Sequence, residues 1–246
     1  STLYGNFTER KVMEFQNYYG LKPNGIADSY TRAKIDELID NGFQQGDRHD
    51  SIIDLKNNLN QLGFGYITVT NFYGNFTEVK VRQFQQYYGL DVTGRADGAT
   101  LNKVDDLLES PFQEGERHES TILLKENLNL LGFGYITVTD LYGSFTARQV
   151  KAFQNYYGLV ENGIADEPTR AKIDEILSST FQEGKRHDDT VAIKENLNRL
   201  GFGYITVTDL YGSYTKLQVR KFQEYYGLRS NGIADEVTLE KINELM

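Results

Sequence analysis

Along most of the chain, apolar residues recur at steps of three and four, the period of a helix with one buried face. Leu55, Leu59 and Leu62 form one such stripe, and Gly63 follows as a stop signal. Val81, Phe84 and Tyr88 form a second, closed by Gly89, since glycine enters the left-handed region at low cost. A third contains Val104, Leu107 and Leu108, with Asp97 at the N-cap position. Asp28, Asp166 and Asp235 hold the same place in other copies, and Pro168 is tolerated there because it falls in a first turn. Between the first and second stripes the period drops to two. In "YITVT" Ile67 and Val69 share one side, while Thr68 and Thr70 share the other. The pattern predicts an extended arm whose isoleucine and valine dock on the helices, with flanking glycines allowing a tight turn.

Everything repeats at one offset. Tyr4, Tyr73, Tyr142 and Tyr211 lie 69 residues apart, as do Gly20, Gly89, Gly158 and Gly227. "GFGYITVT" is identical at Gly63–Thr70, Gly132–Thr139 and Gly201–Thr208. The spacing predicts a partial repeat over 1–42, holding helices 2 and 3 only, then full repeats over 43–111, 112–180 and 181–246. The expected fold is mostly α: tandem repeats of a small three-helix bundle with a short extended arm between helices 1 and 2. Helices of about 10–14 residues are not stable singly, so each triplet must share a core. Phe43, Phe112 and Phe181 sit at a fixed place in the connections, whereas a flexible linker would be glycine- and serine-rich. That predicts a ring tucked into a neighbouring repeat and a semi-rigid rod of beads. The partial repeat has no first helix over Val12, Phe15 and Tyr19. Three readings stand: a trimmed boundary, packing on the next repeat, or pairing with another molecule. An alternative frame, in which each repeat takes its first helix from the next copy, would place the orphan pair at the other end.

Composition narrows the function classes. Of 246 residues 39% are hydrophobic and 25% charged, and no apolar run reaches the roughly 20 residues of a membrane-spanning helix. Ser1 begins in mid-pattern, which reads as a mature or trimmed fragment. A formal charge of −9 argues against nucleic acid or acidic membranes as partners. Cysteine is absent, so neither disulfides nor thiolate metal sites are available. The three histidines fall one per repeat, and no spacing with carboxylates suggests zinc, so no metal or other cofactor is expected. Serine-nucleophile motifs and phosphate-binding glycine loops are missing. Carboxylates change from copy to copy, Glu14 becoming Gln83, Ala152 and Lys221, so no catalytic residue is expected.

The order "L..L..LG[FY]", a loop, "[FY]G..T...V..FQ" and "GL...G.A..T...[IL]" resembles the peptidoglycan-binding-like module of bacterial cell-wall hydrolases. Here it reads Leu124, Leu128 and Leu131–Phe133; Tyr142, Gly143, Thr146, Val150, Phe153 and Gln154; Gly158, Leu159, Gly163, Ala165 and Thr169. The resemblance implies a non-catalytic wall-binding module, a multivalent tether for a hydrolase or surface protein. It implies an extracellular place in a bacterial, Gram-positive wall, with peptidoglycan, by glycan or stem peptide, as partner. A structural spacer or adhesive stalk with no glycan binding is the alternative, and self-association through the partial N-terminal repeat is a further expectation. The chain departs from the pattern at Thr70–Asn71, where an Asp-Gly pair is common, and at His49, His118 and His187, where glycine is common.

Both departures lie near the groove expected between helices 1 and 2. Tyr66, Tyr135 and Tyr204 and the "YG" tyrosines Tyr73, Tyr142 and Tyr211 are candidates there, because flat rings with a hydroxyl suit sugar C–H faces. Thr68, Thr70, Thr137, Thr139, Thr206 and Thr208 line the same stretch. Arg48–His49, Arg117–His118 and Arg186–His187 precede helix 1, where a cation opposes the helix dipole. Two readings stand for these pairs: local ion pairing with imidazole capping, or an anion site for a stem-peptide carboxylate. Tyr19, Tyr88, Tyr157 and Tyr226 fall on the core stripe and read as packing, and Asn60, Asn129 and Asn198 as a polar helix flank.

Overall fold

The computed structural model describes residues 5–246, and for 36–41 the helical backbone alone. Tyr4, the first of the repeating tyrosines, lies outside the described residues. Eleven helices and no strands are found among the described residues. They divide into two compact units, 1–108 and 109–246. The first holds α1 (Asn6–Tyr18), α2 (Ser29–Asn41), α3 (Ser51–Gln61), α4 (Asn75–Tyr87) and α5 (Gly98–Leu108). The second holds α6 (Ser120–Leu130), α7 (Ser144–Tyr156), α8 (Glu167–Leu177), α9 (Thr190–Arg199), α10 (Ser213–Tyr225) and α11 (Glu236–Glu244). In each triplet the first helix packs on both others: α3 on α4 and α5, α6 on α7 and α8, α9 on α10 and α11.

The stripes become cores. Leu55, Leu59, Leu62, Val81, Phe84, Val104 and Leu107 are all buried, and so are their counterparts Leu124, Leu128, Leu131, Val150, Phe153, Ile173 and Ile176. The predicted aspartate caps form: Asp166 Oδ1 accepts from the Thr169 N–H at 3.1 Å, and Asp235 Oδ1 from that of Thr238 at 2.9 Å. Gly158, at φ +67°, ends α7 in the left-handed region that disfavours side chains.

A buried amide organises the loop between the second and third helices. Gln154 is fully buried, its Nε2 within 3.0 Å of Asn162 Oδ1, the Ile164 carbonyl and Thr169 Oγ1. Its Oε1 accepts from the Gly163 N–H at 2.9 Å. Gln16, Gln85 and Gln223 do the same in their copies. The "FQ" signature is thus a core phenylalanine followed by the amide that satisfies a buried loop backbone.

The arm does not keep its period of two. Ile67, Ile136 and Ile205 are buried, but Val69, Val138 and Val207 are 41–42% exposed. Alternation is enforced by a ladder, and the arm has none: its polar backbone is held by side chains of the first helix instead. Asn129 pairs with both backbone groups of Ile136, accepting N–H at 2.7 Å and donating to C=O at 2.9 Å. Lys125, only 3% exposed, donates to the Thr137 carbonyl at 3.2 Å, Thr139 Oγ1 at 3.0 Å and the Leu141 carbonyl at 2.5 Å. Burial lowers its pKa, as it does for Lys56 and Lys194. The far end of the arm is closed by backbone pairing: Gly115 N–H donates to the Tyr142 carbonyl, Tyr142 N–H to that of Glu116, and His118 N–H to that of Asp140.

That pairing corrects the reading of the "YG" tyrosines. Tyr73, Tyr142 and Tyr211 are fully buried, with hydroxyls donating to the Gly94, Gly163 and Gly232 carbonyls at 2.8–3.0 Å. They cannot meet a ligand; they tie the end of the arm to the loop that the glutamine organises. Burial raises all three pKa values well above the ordinary phenol range.

Two of the connection phenylalanines, Phe112 and Phe181, also differ from expectation. Phe112 packs on the core of its own repeat: its carbonyl accepts from the Ala165 N–H at 3.0 Å and Arg170 lies 4.6 Å over its ring. Phe43 exchanges both backbone hydrogen bonds with Ala96, and the Phe181 carbonyl accepts from Ala234. The Phe112 and Phe181 rings thus pack on the repeats they open, while Phe43 also borders a cavity with Phe15, Tyr19 and Ile35 of the preceding partial repeat, as expected. Within the first unit the orphan pair leans on the segment leading into α3. The Tyr18 hydroxyl donates to the Arg48 carbonyl, and the His49 ring lies 6.3 Å from that of Tyr19. Phe15 and Tyr19 there border a cavity of about 630 Å³.

Two outcomes follow. Lys125→Met keeps the volume but leaves two carbonyls and a hydroxyl without their donor; a loss of about 2–3 kcal/mol in urea unfolding is expected. Faster hydrogen exchange at the Ile136 amide should accompany it. The buried phenols stay protonated in the folded state after those of the unfolded chain ionise near pH 10. Their contribution is therefore complete below pH 10 and falls above it by about 1.4 kcal/mol per pH unit per tyrosine. Tyr142→Phe should lose about 1 kcal/mol at pH 7. Its unfolding free energy should fall less steeply than the parent's between pH 10 and 11.

Candidate functional site

Each full repeat presents the same exposed object, the arm. The glycine before the tyrosine is set by the backbone: Gly134 sits at φ +121°, a conformation side chains rarely adopt, with the Gln149 side chain 3.1 Å from where a Cβ would stand. The next residue projects outward. Tyr66 and Tyr135 are 100% exposed and Tyr204 is 99% exposed. The arm is held before and after Tyr66, since the buried Phe64 donates its N–H to the Leu59 carbonyl at 2.9 Å and Asn60 grips Ile67. The ring is therefore displayed from a backbone fixed on either side.

The candidate threonines separate into two kinds. Thr70, Thr139 and Thr208 are exposed, but each hydroxyl accepts from the buried ammonium of Lys56, Lys125 or Lys194 at 3.0 Å. They belong to the clamp. Thr68, Thr137 and Thr206 give only their carbonyls to it, and these residues are exposed beside the tyrosines.

The arginines and histidines of these pairs make contacts within their own repeats. Arg117 pairs with Asp140 at 2.6 Å and Arg186 with Asp209 at 2.5 Å. The carboxylates come from across the arm and not from the adjoining residues the sequence suggested. Arg48 has Asn71 at that place and stands instead 4.6 Å over the Phe72 ring. The imidazoles cap helix 1 starts: Nδ1 of His49, His118 and His187 accepts a backbone N–H from Ser51, Ser120 and Asp189 at 3.1–3.2 Å. A guanidinium already holding a carboxylate is a poor anion site. Tyr73, Tyr142 and Tyr211, sealed as described, are no part of the surface either.

Sequence reading missed a second aromatic. Phe76, Phe145 and Tyr214, in the first turn of α4, α7 and α10, are 53%, 42% and 49% exposed. In the third repeat the Tyr214 hydroxyl lies 3.1 Å from the position a Cβ on Gly203 would take. In the first, Lys80 spans the same gap, its Nζ 5.3 Å over Phe76 and its Cε packed at Gly65. The available signal was an aromatic at one fixed place off the helical stripe in every copy. In the first and third repeats the arm thus carries a free ring with a half-exposed ring close by. No group of histidines and carboxylates able to hold a metal is found among the described residues, and no helix there is long and apolar enough to cross a membrane.

No curated protein matches the chain. A family model described as "Putative peptidoglycan binding domain" matches it four times, over residues 1–35, 48–104, 117–173 and 186–242. Each full match begins at the arginine before the first helix and spans the clamp, the arm and the glutamine-organised loop. On these four matches, which cover most of its length, the chain belongs to the peptidoglycan binding domain family.

Proposed function

We propose that the chain is a non-catalytic, multivalent tether that holds an extracellular protein to bacterial peptidoglycan, and that it reads the glycan through its arms. The observation carrying this reading is the tyrosine of each arm, exposed on all sides at the same place in three copies. A ring with both faces open does not line a groove; it suits stacking against the C–H face of a sugar. The adjacent Thr68, Thr137 and Thr206 offer hydroxyls to ring substituents, and Phe76, Phe145 and Tyr214 offer a second apolar edge. Arg48, Arg117, Arg186 and the three histidines are left to local structure. Each contact is weak. A polymer of repeated ligands compensates, because linked weak sites gain avidity when several engage together.

The test is co-sedimentation with purified sacculi, with and without teichoic acid, at low salt. The parent chain should pellet with both preparations. Replacing Tyr66, Tyr135 and Tyr204 by alanine removes about 0.5–1.5 kcal/mol of ring stacking per arm, so pelleting should weaken at least about tenfold. The melting temperature should stay within a degree or two, since the rings touch nothing in the fold. Retention of the parent in the supernatant would favour the spacer reading, and an unfolded triple variant would make the tyrosines structural.

A further inference from the structure

Within the second unit one repeat docks on the next through a defined knob and face. The knob is the loop "LRSNGIAD", Leu228–Asp235. Arg229 lies 4.5 Å over the Phe133 ring, and its backbone N–H donates to the Tyr156 hydroxyl at 3.3 Å. Asn231 donates to the Leu131 carbonyl at 3.4 Å, and the Tyr157 hydroxyl donates to Asp235 Oδ2 at 2.7 Å. Ile233, 8% exposed, enters the core cluster of the preceding repeat.

The molecule carries a second face of this kind. In the last repeat Phe202 lies 5.7 Å from Tyr225 at 73° and 6.1 Å from Tyr226 at 48°. Phe133 lies 5.7 Å from Tyr156 at 72° and 6.0 Å from Tyr157 at 48°. The rings are therefore already in the docked arrangement, yet Tyr225 is 75% exposed, and Leu200 and Phe202 are only half-buried where Leu131 and Phe133 are buried.

A second knob exists too. The loop "LKPNGIAD", Leu21–Asp28, repeats the cation, amide, isoleucine and carboxylate of Leu228–Asp235. The corresponding "LDVTGRAD" of Leu90–Asp97 has aspartate, threonine and arginine at the first three of those places. Its backbone is set the same way. Gln16 Nε2 reaches Asn24 Oδ1, the Ile26 carbonyl and Thr31 Oγ1 at 2.8–2.9 Å, as Gln223 reaches Asn231, Ile233 and Thr238 at 2.8–3.2 Å. Ile26, however, is 61% exposed where Ile233 is buried.

We propose that the Phe202–Tyr225–Tyr226 face of one molecule receives the Leu21–Asp28 loop of a second copy. Lys22 lies over the Phe202 and Tyr225 rings, Ile26 packs against Tyr226, and the Tyr226 hydroxyl donates to Asp28. Knob and face are different surfaces, so the contact is heterologous and propagates head to tail instead of closing a dimer. The Lys172–Glu236 bridge of 2.9 Å that supports the internal joint has no counterpart, because Ser29 replaces the glutamate. Association is then weaker than the internal joint and belongs near the roughly millimolar effective concentration that a short linkage supplies.

Sedimentation velocity of the full chain over about 0.01–1 mM tests this. The parent should shift to larger species as concentration rises. Ile26→Asp and Tyr225→Ala change exposed side chains, so both should fold with parental melting temperatures, and each alone should need at least about tenfold more protein to associate. Mixed in equal amounts they should form dimers and stop there, since one supplies the intact face and the other the intact loop. A parent monomeric at 1 mM, variants that associate like the parent, or a mixture that gives nothing beyond its components would each overturn the proposal.

Discussion

The buried lysine of the first helix is the constraint on which the site depends. At 3% exposure Lys56, Lys125 and Lys194 have lost most of their water, a cost that shows as a lowered pKa. The loss is offset because the donors find oxygens of the arm: in the first two copies two carbonyls and a threonine hydroxyl. The benefit runs both ways. An extended arm without a strand partner would leave its carbonyls to water; gathered on one ammonium, they are held in place. The identical "GFGYITVT" is explained largely by this. Its glycines permit the turn, its isoleucine fills the core, and its last threonine feeds the clamp.

Much of the helical layer was legible because a helix writes its burial into the sequence at a period nothing else imitates. Leu55, Leu59 and Leu62 could be assigned to one face, and Asp166 to a cap, from spacing and residue type alone. The arm was legible only in outline. Alternation of Ile67 and Val69 implies a shared face if a neighbouring strand holds the pleat, and here side chains hold it, so the valine turns out. Tyr73 misled for a related reason. It looks like a loop residue because it lies between the arm and the next helix and precedes glycine; the backbone pairing of residues 46–49 with 71–73 carries it inward. The clamp itself was hidden, since a lysine on a helix ordinarily keeps its head in water along an apolar stem.

Gln16, Gln85, Gln154 and Gln223 show how one polar device can serve two purposes. Each satisfies a loop that must pass through the core, and in doing so sets the loop's outer surface to one shape. In the last repeat that shape carries Arg229, Ile233 and Asp235 and becomes a joint with the repeat before it. Repeat proteins need such joints, because a bundle of this size buries only about 60% of the surface its unfolded chain exposes. The joint is specified by three or four side chains on a common frame. A copy with Asp91, Thr93 and Arg95 at those places keeps the frame and presents different chemistry.

The aromatic residues sort by what holds them. Tyr73 and its counterparts are sealed, with hydroxyls spent on a carbonyl. Tyr157 is closed over by the following repeat, its hydroxyl spent on a carboxylate. Phe112 seals its own bundle. For all of these, packing and hydrogen bonding account for the residue without reference to any ligand. Tyr66, Tyr135 and Tyr204 have no such account: they bury nothing, and a serine there would satisfy the arm equally well. A large apolar ring held in water from a rigid backbone contributes nothing to folding. On the function proposed above its use lies in what approaches from outside, and the scaffold of lysine and asparagine beneath it holds the arm that displays it.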